Sequence, residues 1–212
     1  MNHHFSMMQF ADSAFPLGGF AFSNGLEWLV KQGWIEDLEG FYDYLLQIVH
    51  QAQSFDIPFL LAMAKSEAEV QAASKRYDLM LQVPGLRKAS IAQGRALLRM
   101  LPTLLGQREG LGLDETTHLV LVLGRTLASL EWSEPMAAEL WTYLLIRDQT
   151  SAAIRLGILG PGAAIHIQGQ IFTSAAWSPF RSPPWSQAYR MTALNDMAVT
   201  SHGQLYSKLF QN

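Results

Sequence analysis

A chain of 212 residues suits one large domain, and 49 % hydrophobic against 16 % charged residues gives it ample core material and a lean charged surface. That balance is the reverse of a disordered chain's, and it points to apolar surface covered by a partner. A net charge of −3 without a lysine/arginine cluster excludes a nucleic-acid footprint, and the lack of cysteine removes disulfides, thiolate metal sites and cysteine nucleophiles together. A cysteine-free chain of this size fits a reducing, cytoplasmic setting.

The start of the chain, Met1 to Met8, has no cationic targeting region, and residues 1–23 are read as a structured loop segment. Within Asp12 to Glu27, Pro16 fixes one backbone angle while Gly18 and Gly19 allow positive φ or close backbone approach. Phe15, Phe20 and Phe22 are placed to pin this loop onto helices. From Asn24 onward the apolar spacing is helical, and it predicts helices near 24–33, 38–53, 56–65, 67–81, 84–101, 115–130, 134–156, 162–175 and 184–200. Asn24 and Glu27 have capping-box spacing, as do Ser66 and Glu69. Asp37, Asp114 and Ser133 each precede a periodic stretch, and Pro58 and Pro135 fall in first turns. Alternating strands are nearly absent, so the fold class is all-α, a single-domain bundle of about nine to ten helices over 1–212.

Two stretches read as irregular. Residues 102–113 hold Pro102, Gly106, Gly110 and Gly112 and predict a mobile loop; residues 177–185 combine three prolines with Trp177, Phe180 and Trp185 and predict a stiff aromatic loop. The strongest apolar run, Leu119 to Gly124, is far shorter than the roughly 20 residues of a membrane span, so no membrane partner is expected.

Catalytic motifs do not emerge. No lysine follows a glycine, so there is no phosphate-binding P-loop, and Gly157 to Gly162 reads as a helix break. No two histidines stand three or four apart, which leaves His3 and His4 as weak metal candidates only; His50 and His118 read as hydrogen-bonded helix residues. Ser23 lacks the glycine two positions before it and the preceding strand of a nucleophile elbow, so a turn or capping role fits it better. Glu27, third in its capping box, is explained by a hydrogen bond to the helix start. The chain is expected not to be an enzyme.

Asp12-Ser-Ala-Phe15-Pro16-Leu-Gly18-Gly19-Phe20-Ala-Phe-Ser23-Asn-Gly25-Leu26-Glu27, led by Met8-Gln9-Phe10-Ala11, resembles the N-terminal signature of the urease accessory protein UreF family. Asp56-Ile-Pro58 is similar to that family's Asp-Leu-Pro, and Arg87, Ser90, Gly94 and Arg95 match its Arg-x-x-Ser-x-x-x-Gly-Arg pattern. The close, His202-Gly-Gln-Leu-Tyr206-Ser207-Lys208-Leu209-Phe210, resembles His-Glu-x-x-Tyr-Ser-Arg-Leu-Phe. Departures are Ser201 and Gly203, where Arg and Glu are usual, Lys208 for Arg, which loses the planar guanidinium fork, and Gln211-Asn212 for a basic-polar ending.

The resemblance implies an all-α, dimeric, non-catalytic protein that bridges the accessory protein UreD (UreH) and the GTPase UreG in delivering nickel to apo-urease. On that basis the matched residues are partner-binding candidates. No cofactor is implied for this chain, nickel being handled by the complex. The C-terminal tail 201–212 is expected to order when a UreD-type partner binds. A helical nickel carrier and a helical interaction protein unrelated to urease are the alternatives.

Overall fold

The computed structural model describes residues 3–105, 111–174 and 182–211, together with every side chain there except that of His3. Ten α-helices account for most of it: α1 (His3–Ala11), α2 (Leu26–Lys31), α3 (Leu38–Gln51), α4 (Ile57–Ala62), α5 (Glu67–Met80), α6 (Pro84–Leu105), α7 (Leu119–Ser129), α8 (Glu134–Arg155), α9 (Pro161–Thr173) and α10 (Ala193–Ser201). No strand occurs among the described residues, and the fold is all-α. None of the described helices is long and apolar enough to cross a membrane.

Local signals explain several boundaries. Asp37 caps α3 by accepting from the Gly40 N–H at 2.9 Å, and Ser133 caps α8 by accepting from Met136 N–H at 3.5 Å. Five predictions need correction. Residues 3–11, expected as loop, form α1, whose Phe10 is buried against Phe15 and Trp132. Asp114 does not open α7; it accepts from Thr116 and Thr117 in a turn, and α7 starts at Leu119. Helix α6 runs through Pro102 to Leu105, past its predicted end. Of the two irregular stretches, 106–110 and 175–181, including Trp177 and Phe180, lie outside the described residues.

The fourth correction lies between α3 and α4, predicted as separate helices. The chain stays helical there through a π-helical turn, Ala52–Asp56. Pro58 has no N–H for the carbonyl of Ser54 and crowds it, so the turn widens. Ser54 C=O instead accepts the N–H of Tyr189 at 3.0 Å. That bond also accounts for the fifth correction: 184–200 is not one helix. Tyr189 and Met191 give their N–H groups to Ser54 and to the Gln51 side chain, leaving a short 3₁₀ turn, Trp185–Gln187, an irregular stretch, and then α10.

Helix α8 ties two apolar clusters together. Ala137, Ala138, Leu140, Trp141 and Leu144 pack with Phe55, Phe59, Leu97 and the α7 leucines. Ile146, Ala152 and Ala153 pack with Leu26, Leu29, Phe41, Leu45 and Ile167 on the other side. Close helix crossings depend on glycine: a Cβ on Gly124 would sit 2.3 Å from the Leu60 carbonyl oxygen, and one on Gly94 would sit 2.2 Å from that of Thr117. These contacts seat α7 against α4 and α6.

Candidate functional site

The N-terminal motif and the C-terminal motif meet at Glu27. Two left-handed residues, Asn24 (φ 51) and Gly25 (φ 94), turn the chain into α2, so the helix begins at Leu26 and not at Asn24. Ser23 Oγ accepts from the Glu27 N–H at 3.3 Å and takes the capping role. This releases the Glu27 side chain, which points inward with no exposed surface.

Four donors converge on that carboxylate. Oε1 accepts from Leu209 N–H at 2.8 Å and pairs with Lys31 Nζ at 3.0 Å. Oε2 accepts from His202 Nε2 at 2.7 Å and from Phe210 N–H at 3.3 Å. Burial pushes the Glu27 carboxyl up, but the His202 and Leu209 hydrogen bonds and the Lys31 ammonium outweigh it and hold it below the ordinary glutamate value. A carboxylate so fully engaged is a structural knot, with no lone pair left to serve as a general base. His202 is equally buried, its Nε2–H committed to Glu27 and its Nδ1 without a partner.

The rest of the tail follows. Lys31 Nζ donates to the Ser207 carbonyl oxygen and lies 3.4 Å from Ser207 Oγ. Gln211 N–H donates to Ala21 C=O at 2.9 Å. From α8, Arg155 lies between two rings, 3.6 Å from the Phe20 centroid and 4.0 Å from that of Phe210, and donates to Phe20 C=O at 2.6 Å. Lys208 Nζ donates to Gly203 C=O at 3.0 Å, within the tail itself. Residues 202–211, expected to take shape on a partner, are thus already seated on this chain's own N-terminal loop.

The loop is held from beneath. Arg147 donates to Ala11 C=O at 2.9 Å and to Asp12 C=O at 3.2 Å and pairs with Asp148 at 2.7 Å. A Cβ on Gly19 would meet Asp148 Oδ2 at 2.2 Å, so any side chain there would displace that carboxylate; Gly18 (φ 74) supplies the left-handed turn before it. Phe15 packs edge-on to Phe10 at 5.1 Å, and Pro16 is exposed at the tip. The clasp leaves Phe20, Tyr206 and Leu209 exposed, beside the polar Gln204, Ser207 and Lys208.

The middle motif does not join the clasp. Arg87 pairs with Asp78 at 2.6 Å, and Arg95 reaches the Glu115 carbonyl oxygen at 3.3 Å and its carboxylate at 3.4 Å. Gly94 sits under Thr117, and Ser90 lines a cleft of about 120 Å³ with Asn24, Asp56, Tyr77, Trp141 and Arg190. There Tyr77 donates to Asp56 at 3.1 Å. Burial pushes the Asp56 carboxyl up to about 6, against the smaller pull of Arg190, Tyr77 and Trp141. Lys31, Arg147 and Arg155 were missed as site residues; the i, i+4 spacing of Glu27 and Lys31 was a usable signal for the first, and none existed for the arginines. His4 is exposed, and among the described residues no group of three or more His, Asp or Glu side chains could hold a metal ion.

An all-helical chain closed on itself by its own two ends is the class that fold and clasp define. The UreF family profile matches residues 35–171. The chain is 28 % identical over 225 residues to urease accessory protein F of Oryza sativa subsp. indica, covering 99 % of this chain and 86 % of that one. It is 26 % identical to urease accessory protein F of Arabidopsis thaliana, with 97 % and 91 % covered, and 30 % identical to urease accessory protein UreF of Trichodesmium erythraeum (strain IMS101), with 100 % and 98 % covered. This chain belongs to the UreF family.

Proposed function

We propose that the chain is a urease accessory protein acting in maturation of the nickel metallocentre, as a non-catalytic cytoplasmic scaffold. It bridges a UreD/UreH-type partner and the GTPase UreG, modulates that GTPase, and acts on apo-urease, with nickel as cargo of the assembly. Family membership supports the coarse reading. The observation that carries the finer one is the clasp: two motifs separated by 175 positions share one carboxylate and leave Phe20, Tyr206 and Leu209 each exposed. Such a surface, built from backbone-anchored segments, suits a partner that recognises shape.

A second copy is the further partner proposed. Helix α9 has no Asp, Glu, Lys or Arg, exposes Ile165 and His166, and carries Gly169 where a Cβ would meet nothing within 4 Å. A mid-helix glycine costs about 1 kcal/mol, and no packing within the chain calls for it. An uncharged face of this kind meets its own copy without like-charge repulsion, as an isologous contact requires. Ile165→Glu is expected to convert a sedimenting dimer to monomer.

The deciding experiment is urease activation in cells that lack their own UreF, with and without this chain. Restored activation is the expected result, and equal urease maturation in both cultures would refute the role. Truncation after Ser201 is expected to abolish capture of a UreD-type partner while helix content stays intact; unchanged capture would remove the tail from the binding surface.

A further inference from the structure

Helix α6 carries a charge pattern that neither the clasp nor the packing accounts for. Its 22 residues include Arg87, Lys88, Arg95 and Arg99 and no Asp or Glu, in a chain whose net charge is −3. At 100° per residue, all four cations fall within about 120° of the helix circumference, with Ile91 between them. Helices α5 and α8 mix signs, with Glu67, Glu69 and Asp78 beside Lys75 and Arg76 in the one and Glu139, Arg147, Asp148 and Arg155 in the other. Helix α3 carries only the acids Glu39 and Asp43, and α7 a single cation, Arg125.

The cations divide by state. Arg87 and Arg95 are held by Asp78 and Glu115, which fixes where their guanidinium groups lie. Lys88 and Arg99 are exposed and have no ion pair among the described residues. Along this face, ending one turn short of Arg99, runs a shallow groove of about 420 Å³ lined by Pro84, Arg87, Lys88, Ile91, Ala92 and Arg95, apolar on its floor and cationic on its rims. The edge of this arc is seated on the fold, since Gly94, about 20° around the helix from Arg87, is pressed against the Thr117 backbone.

We propose that this face of α6 docks an acidic amphipathic helix of a partner protein, its apolar row on Ile91 and Ala92 and its carboxylates reaching Lys88, Arg95 and Arg99. The Arg87–Ile91–Arg95–Arg99 ridge repeats every four residues, which is the spacing that meshes with a facing helix. Charge complementarity sets the occupant's sign, and the apolar floor favours a peptide over a nucleic-acid backbone. The proposal is independent of the urease role, because its measurement uses no urease component.

The test is fluorescence anisotropy of the full chain with a labelled three-heptad synthetic helix bearing a leucine row flanked by glutamates. Its glutamine counterpart and labelled oligothymidylate serve as comparison probes. Saturable binding to the glutamate helix that weakens with salt is expected, with a loss of roughly tenfold or more in the double variant Lys88→Glu, Arg99→Glu. Circular dichroism confirms that this surface variant keeps its fold. Equal binding of the glutamine helix, unchanged affinity in the variant, absence of saturation, or tighter binding of oligothymidylate would each overturn the proposal.

Discussion

Replacing Glu27 by Gln preserves shape and removes charge, which makes it the sharpest probe of the clasp. Each carboxylate oxygen faces two donors: Leu209 N–H and Lys31 on Oε1, His202 and Phe210 N–H on Oε2. Whichever way a carboxamide turns, its NH₂ meets two donors and accepts from neither. Hydrogen bonds to a charged group contribute about 1.5–3 kcal/mol each, so losing two costs about 3–6 kcal/mol if the tail stays in place. That is a large share of a domain's total stability of about 5–15 kcal/mol. The tail can instead let go, so the global loss is capped at the free energy of undocking residues 202–211. Hydrogen exchange at the Leu209 and Phe210 amides separates the two outcomes, with denaturant unfolding giving the global figure. We expect those amides to lose protection by a hundredfold or more, corresponding to about 3 kcal/mol. Unchanged protection together with a stability change under about 0.5 kcal/mol would refute the reasoning. The pH dependence has a fixed sign. Because the folded-state carboxyl is held below its ordinary value, its contribution is full above that value and fades as pH falls through the folded one. The Gln variant lacks this acid-side loss.

Asp56 behaves oppositely. Its folded carboxyl titrates near 6, above the ordinary aspartate value, so it weakens the fold as pH rises through that interval. Asp56→Asn is expected to stabilise by on the order of 2 kcal/mol at neutral pH and to change little below about pH 4, measured by denaturant titrations at each pH. Gly124→Ala places a Cβ against the Leu60 carbonyl oxygen and should cost about 2–3 kcal/mol by calorimetry, since backbone must move. Arg155→Met keeps bulk but loses both ring contacts and the Phe20 hydrogen bond; about 1–2 kcal/mol of tail docking should disappear from the Phe210 amide exchange, with the α8 amides unaffected.

Apolar periodicity fixes helices such as α3, α5 and α8 because their buried faces repeat locally. It fails where a backbone group is satisfied from far away. Nothing near Pro58 tells that Ser54 C=O will be met by Tyr189, and nothing near Tyr189 tells that its N–H has a destination other than a helix turn. Helix α1 escapes notice because it lacks charges and capping residues, its local signal being one short apolar repeat, Met7, Phe10 and Ala11. At Glu27 the local rule chose the wrong acceptor: capping-box spacing is real, but Ser23 already serves the helix start, which leaves the carboxylate for a tail 175 positions on. Motif order along the chain therefore locates both halves of the clasp without revealing that they touch.

The bond between Tyr189 and Ser54 sets a limit on how far the C-terminus can travel. It fastens the polypeptide ahead of α10, which itself packs on α2, so opening the Glu27 knot frees the segment from residue 202 onward and leaves the helix behind it moored. At about 3.3 Å per residue, Phe210 then reaches at most about 30 Å from the end of α10, enough to hand that ring to a neighbouring molecule. A widened turn around one proline thus helps to anchor the root of a segment that lies some 150 residues later.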